Sequence, residues 1–164
     1  MDGPLRNLLG ICGLYCGNCP NYLAPRQGDF ATLKALAAEK GISPQEQACD
    51  GCLSGRVSGE CRICPHGFRD CAQGHEVTWC LECDEFPCRR LEDFRHVHVK
   101  DGISRHARVV EDLRSICVSG AKAWLARRAA ESACPGCGRR RYWYERACQV
   151  CGREAAAFLD EPPA

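Results

Sequence analysis

Apolar residues fall in short bursts separated by polar, glycine-rich stretches. Phe30, Leu33, Leu36 and Ala37 recur at helical spacing, continued by Lys40, with Asp29 placed to cap the start and Gly41 to stop the end. After Cys88, Leu91, Phe94 and Val97 predict a shorter helix. A longer stripe comes next: Val109, Val110, Leu113, Ile116, Cys117, Ala121, Trp124 and Leu125, with Ser104 as candidate N-cap. It predicts an amphipathic helix within 101–133, with Cys117 an ordinary buried thiol and Gly120 a point of interruption or close packing. Arg105 to Arg108 reads as a solvated charged turn, and His96 and His98 as a solvated pair. Tyr142, Trp143 and Tyr144 have strand propensity and suit a β-hairpin. The expected fold is a small, irregular α+β protein with a helical middle segment.

Composition explains what must hold such a fold. The 164 residues include 16 cysteines, enough to signal a covalent or metal scaffold. The hydrophobic share of 45% counts them, and without them it falls to about 35%, thin for an apolar core alone. No window approaches the roughly 20 apolar residues of a membrane span, and no signal peptide is read. The expected location is therefore the cytoplasm, where cysteines in such patterns read as metal ligands rather than disulfides. Formal net charge is +1, which gives nucleic-acid binding no general support.

The cysteines divide the chain into a cysteine-rich metal-binding domain over 8–100, the helical 101–133, a ribbon over 134–152 and a flexible tail over 153–164. Cys134-Pro-Gly-Cys137 and Cys148-Gln-Val-Cys151 are two C-x-x-C knuckles, each followed by glycine. They read as a zinc ribbon, closed by four thiolates and therefore structural, with iron as in rubredoxin the minority reading. The N-terminal domain offers Cys12, Cys16, Cys19, Cys49, Cys52, Cys61, Cys64, Cys71, Cys80, Cys83 and Cys88. Eleven thiols do not divide by four: His66 or His75 as a twelfth ligand would make three tetrahedral sites, while three unpaired cysteines would leave two, and both arrangements stay open. Spacing suggests Cys49, Cys52, Cys61 and Cys64 as one self-contained site, and Cys80, Cys83 and Cys88 as a second, completed by Cys71. Cys12, Cys16 and Cys19 remain as a triplet with no nearby fourth cysteine. Their spacing is that of radical S-adenosylmethionine enzymes, but the chain lacks the length and strand–helix alternation for that barrel. Zinc is the first reading for this domain and a [4Fe-4S] cluster the alternative, because both take thiolates.

The opening Cys12-Gly-Leu-Tyr-Cys16-Gly-Asn-Cys19-Pro-Asn-Tyr22, the Cys49-Asp-Gly-Cys52 segment, Cys61-x2-Cys64, Cys71 and the closing Cys80-Leu-Glu-Cys83-Asp-Glu-Phe-Pro-Cys88 together resemble an uncharacterised cysteine-rich prokaryotic domain family. The second half resembles a C-terminal zinc-ribbon extension seen in some members. The resemblance implies metal binding and no particular activity.

No nucleophile–base pair or open metal position stands out, so the reading leans to a non-enzymatic protein. A thioredoxin-type dithiol would need a βαβ context that is absent. The leading expectation is a protein with several structural zinc sites serving an interaction with a protein partner. An iron–sulfur protein for electron transfer or cluster delivery is the alternative. A third reading is nucleic-acid contact through Arg139, Arg140, Arg141 and Trp143, a basic–aromatic combination that tracks phosphate and stacks bases; a solvated charged face is preferred over it.

Overall fold

The computed structural model describes residues 4–97, 99, 100 and 102–154. His98 and the tail from residue 155 lie outside the described residues. After 3-10 turns at Pro4–Leu8 and Cys16–Asn18 come α1 (Pro20–Gln27), α2 (Phe30–Glu39), α3 (Pro44–Gln47), α4 (Gly59–Ile63) and α5 (Phe68–Gly74). A turn at Cys80–Glu82 leads to α6 (Arg89–Phe94), β1 (Val99–Lys100), β2 (Ile103–Ser104), α7 (Val109–Ser119) and α8 (Ala121–Ser132). The α+β class is as expected: short helices with one two-stranded antiparallel sheet, Val99 opposite Ser104.

Local signals set several boundaries. Asp29 caps α2 by accepting the Thr32 amide at 3.1 Å, and Gly41 comes after the helix in the left-handed conformation. The helical stripe after residue 108 is two helices. Gly120, at φ 80° and ψ 150°, turns the chain between α7 and α8, which pack against each other. Ser104 is not their cap: it lies in β2 and its hydroxyl donates to the Arg95 carbonyl at 3.1 Å. Cys117 is exposed rather than buried, because α7 turns Val109, Val110, Leu113 and Ile116 inward and its last turn lies at the rim of the hairpin.

The main core crosses the boundary expected near residue 100. Leu9, Ile11, Cys12 and Tyr15 join Phe68, Leu91 and Phe94, together with Val110, Leu113 and Trp124 from the helical hairpin. The Trp124 ring meets Tyr15 edge-on at 6.0 Å. Its indole N–H donates to buried Asp112 at 3.1 Å. A second cluster unites α1 and α2 with Tyr142, through Leu23, Ala24, Leu33 and Ala48. Both clusters therefore tie the cysteine-rich part to the C-terminal segments, one through the helical hairpin and the other through the ribbon.

Candidate metal centre

The two C-terminal knuckles have one shape. In each, the first cysteine's amide donates to a carbonyl five residues on, Cys134 to Arg139 at 2.7 Å and Cys148 to Arg153 at 3.0 Å. The glycine after each pair donates back to the first cysteine's carbonyl at 2.8 Å. Gly138 and Gly152 have φ of 74° and 70°, a conformation glycine adopts without steric cost. Each knuckle is closed by its own bridge, Ala133 to Arg140 and Ala147 to Glu154. The strand hairpin expected between the knuckles is thus replaced by two miniature ones. Tyr142 and Trp143 are instead buried against α1, α2 and β2.

This geometry brings all four sulfurs within 4.8 Å of one another. Cys134 and Cys151 are 3.5 Å apart and Cys137 and Cys148 3.6 Å. A zinc tetrahedron with Zn–S near 2.3 Å has edges of about 3.8 Å, so the donor set fits zinc. Backbone amides also prepare sulfur for negative charge: Gly136 donates to the Cys134 sulfur at 3.3 Å. The amides of Cys151 and Val150 pull Cys148 down to about 6. Cys137 receives the Arg139 amide, but desolvation and its three thiol neighbours push it up to about 11. The quartet therefore carries at least one proton at neutral pH that a metal must displace.

The N-terminal thiols are arranged differently. Cys49-Asp-Gly-Cys52 repeats the knuckle motif, the Gly51 amide reaching the Cys49 sulfur at 3.3 Å. Gly51 has φ 108°, and a Cβ there would collide with the Asn7 carbonyl. Among the described residues, however, no three of Cys49, Cys52, Cys61 and Cys64 have sulfurs within 4.8 Å of one another. Burial raises Cys49, and Cys19 leads its thiol neighbours. Cys61 is pushed up to about 11 by desolvation, then by Cys19, with Cys49 also near. Burial likewise raises Cys16, beside Cys19, Cys52 and Cys49. Burial also raises Cys12, and Cys52, Cys80 and Cys64 are its thiol neighbours. These four pack on the main core. Cys52 is a neighbour of both groups, beside Cys12 as well as Cys16 and Cys49. Cys64 ends α4 at φ 40°, a strained conformation for a non-glycine residue.

Cys71, Cys80, Cys83 and Cys88 line one apolar cavity with His75 and Phe86, the neighbourhood that spacing suggested. Cys80 is pushed up to about 12 by burial and then by Cys88, Cys71 and Cys83. His75 also lies within 4.8 Å of ligand atoms of Cys83 and Asp84. His66 instead packs edge-on against Phe94 at 4.8 Å, within an aromatic group that includes His106.

Two features were hidden from sequence reading. Buried Asn21 and Gln47 bond each other at 2.8 Å, and Asn21 donates to the buried Ser58 hydroxyl at 3.3 Å. Such scattered polar residues carry no motif. Arg105 is not part of a solvated turn: its neighbours His106 and Ala107 are buried, and its side chain meets the thiols of Cys19, Cys16 and Cys61. Burial alone would lower its pKa, and those thiols hold it up.

The residues considered for nucleic acid are mostly turned inward. Arg141 is 2% exposed and Trp143 9%. Arg139 is paired with buried Glu145 at 2.8 Å, while Arg140 is exposed. Among the described residues, no helix is long and apolar enough to cross a membrane.

No curated protein and no solved structure matches this chain. Residues 8–93, just over half of its length and holding all eleven N-terminal cysteines, match the family described as "Protein of unknown function (DUF3795)", and the chain belongs to that family.

Proposed function

We propose that this is a non-enzymatic metal-binding protein whose thiolate centres hold its fold and present its surface to a protein partner. The ribbon takes zinc. The observation that carries the reading is the closed quartet of Cys134, Cys137, Cys148 and Cys151, with all sulfurs within 4.8 Å. Four thiolates complete zinc's tetrahedral shell and leave no position for substrate or water, which gives this centre a structural role. The repeated amide-to-sulfur bonds at Cys134 and Cys49, both 3.3 Å, support thiolate character in both halves of the molecule.

Elemental analysis of the full chain tests the reading. One zinc per chain should survive gel filtration, and Cys137→Ser should remove it. Retention of zinc in that variant, or a wild-type chain without metal, would exclude the ribbon as the zinc centre. Pull-down with metal-loaded and chelated chain tests the partner role: capture that survives chelation counts against metal-held presentation of the surface.

A further inference from the structure

We propose that Cys16, Cys19, Cys49 and Cys61 ligate one cubane-type iron–sulfur cluster, and that the Arg105 guanidinium is its built-in counter-ion. This rests on reading the cysteines as metal thiolates and names the centre that the N-terminal domain builds.

Three observations converge on it. The first is a scaffold that ties the segments together. Cys19 caps α1, and two residues on, the Asn21 carbonyl accepts the Cys49 amide at 3.0 Å. The Asn21 side chain bonds Ser58 at 3.3 Å. Ser58 caps α4, which carries Cys61. Ser58 serves both sulfurs, its amide bonding Cys49 and its hydroxyl Cys61. A buried polar network of this kind fixes one arrangement rather than merely adding stability.

The second is that the set is looser than the ribbon's. Among the described residues, no three of these sulfurs lie within 4.8 Å of one another, although the ribbon's four do. Zinc needs edges of about 3.8 Å. The terminal thiolates of a four-iron cubane stand about 6 Å apart, with the cluster filling the space between them.

The third is Arg105. Its Nε is buried and has no hydrogen-bond partner, while its side chain bonds Cys19. A guanidinium is not deprotonated in proteins, so among neutral thiols its charge is uncompensated and costly. An oxidised cubane with four thiolates has a net charge of about −2, which that cation offsets. Arg105 lies beyond the matched residues 8–93, so the segment between β2 and α7 completes a centre whose ligands all come from the family region.

The full chain, purified without oxygen and reconstituted with ferrous iron and sulfide, provides the test. Cys19→Ser and Cys61→Ser should each lose one cluster's iron and sulfide, while ribbon zinc and the content of Cys117→Ser stay at wild-type levels. Arg105→Met, which removes no ligand, should keep the cluster, shift its reduction potential to more negative values and alter the EPR spectrum of the dithionite-reduced chain. Arg105→Lys should restore most of both. Zinc in place of iron at these cysteines overturns the cluster assignment. Unchanged iron in Cys19→Ser and Cys61→Ser overturns the ligand set. An Arg105→Met potential equal to wild type overturns the counter-ion. A chain with ribbon zinc and no other metal overturns the whole inference and leaves the ribbon reading standing.

Discussion

The ribbon and the N-terminal cysteines use the same knuckle to different ends. In the ribbon, two knuckles only 14 residues apart, Cys134 to Cys148, face each other and close a site from local chain alone. In the N-terminal domain the knuckle at Cys49 has the same amide-to-sulfur bond at 3.3 Å, but its cysteines lie beside thiols of a distant segment, Cys19 by Cys49 and Cys12 by Cys52. A knuckle fixes the direction of two sulfurs, and tertiary structure decides what they meet. Sulfurs are gathered by local chain in one region and by the whole fold in the other.

The sharpest break of that comparison is to remove the ribbon metal. Chelation or Cys137→Ser should unfold residues 134–152, since structural zinc contributes on the order of 10 kcal/mol to such small units; limited proteolysis should then cut there while the helical hairpin resists. Cleavage spread evenly over the chain would mean the ribbon is not an autonomous site. Zinc affinity should also rise with pH near neutrality, by up to about tenfold per unit for each proton displaced, because Cys137 is protonated there. Competition titration with a zinc indicator at several pH values measures this.

Gly51→Ala comes next. It imposes a side chain at positive φ against the Asn7 carbonyl, with an expected cost of about 3 kcal/mol or more, read as a lower denaturation midpoint. Gly138→Ala, with nothing within 4 Å of its Cβ, should cost about 1 kcal/mol from backbone strain alone. Equal effects would erase the distinction between a knuckle built into a fold and one that stands by itself.

Asp29→Ala should cost about 1–3 kcal/mol, since it removes the α2 cap and the Tyr142 hydroxyl's acceptor at 2.7 Å. Although desolvation opposes it, bonds from Tyr142 and Thr32 hold the Asp29 carboxyl below its ordinary 3.8. Its folded pKa is depressed, so its contribution is full above pH 3.8 and is lost as pH falls through the lower folded value. Wild type should therefore lose part of its advantage over Asp29→Ala in acid, measured by denaturant melts across that range. The smallest effect belongs to Cys117→Ser, on an exposed residue, which should change stability by less than about 0.5 kcal/mol and leave metal content unchanged.

Legibility in the sequence divides along the same line. The ribbon quartet, the Asp29 cap and the Gly41 stop depend on residues close in sequence, where spacing and side-chain chemistry suffice. The break at Gly120 was signalled, but the buried stripe alone could not show whether the helix would continue. Grouping Cys49, Cys52, Cys61 and Cys64 by spacing leaves out Cys12, Cys16 and Cys19, thiols of a distant segment that lie beside them. Arg105 lies in a basic run and reads as solvated, and nothing nearby in sequence reveals that its side chain meets the thiols of Cys19, Cys16 and Cys61. Tyr142 and Trp143 had the propensity of strands, yet their rings were taken up by packing against distant helices.

The amide of Trp143 donates to the Asn18 carbonyl at 3.1 Å, inside the turn between Cys16 and Cys19. During synthesis those cysteines leave the ribosome more than a hundred residues before the tryptophan that braces their turn. The turn that carries the first cysteines of the chain therefore gains this backbone bond only once the ribbon has been made.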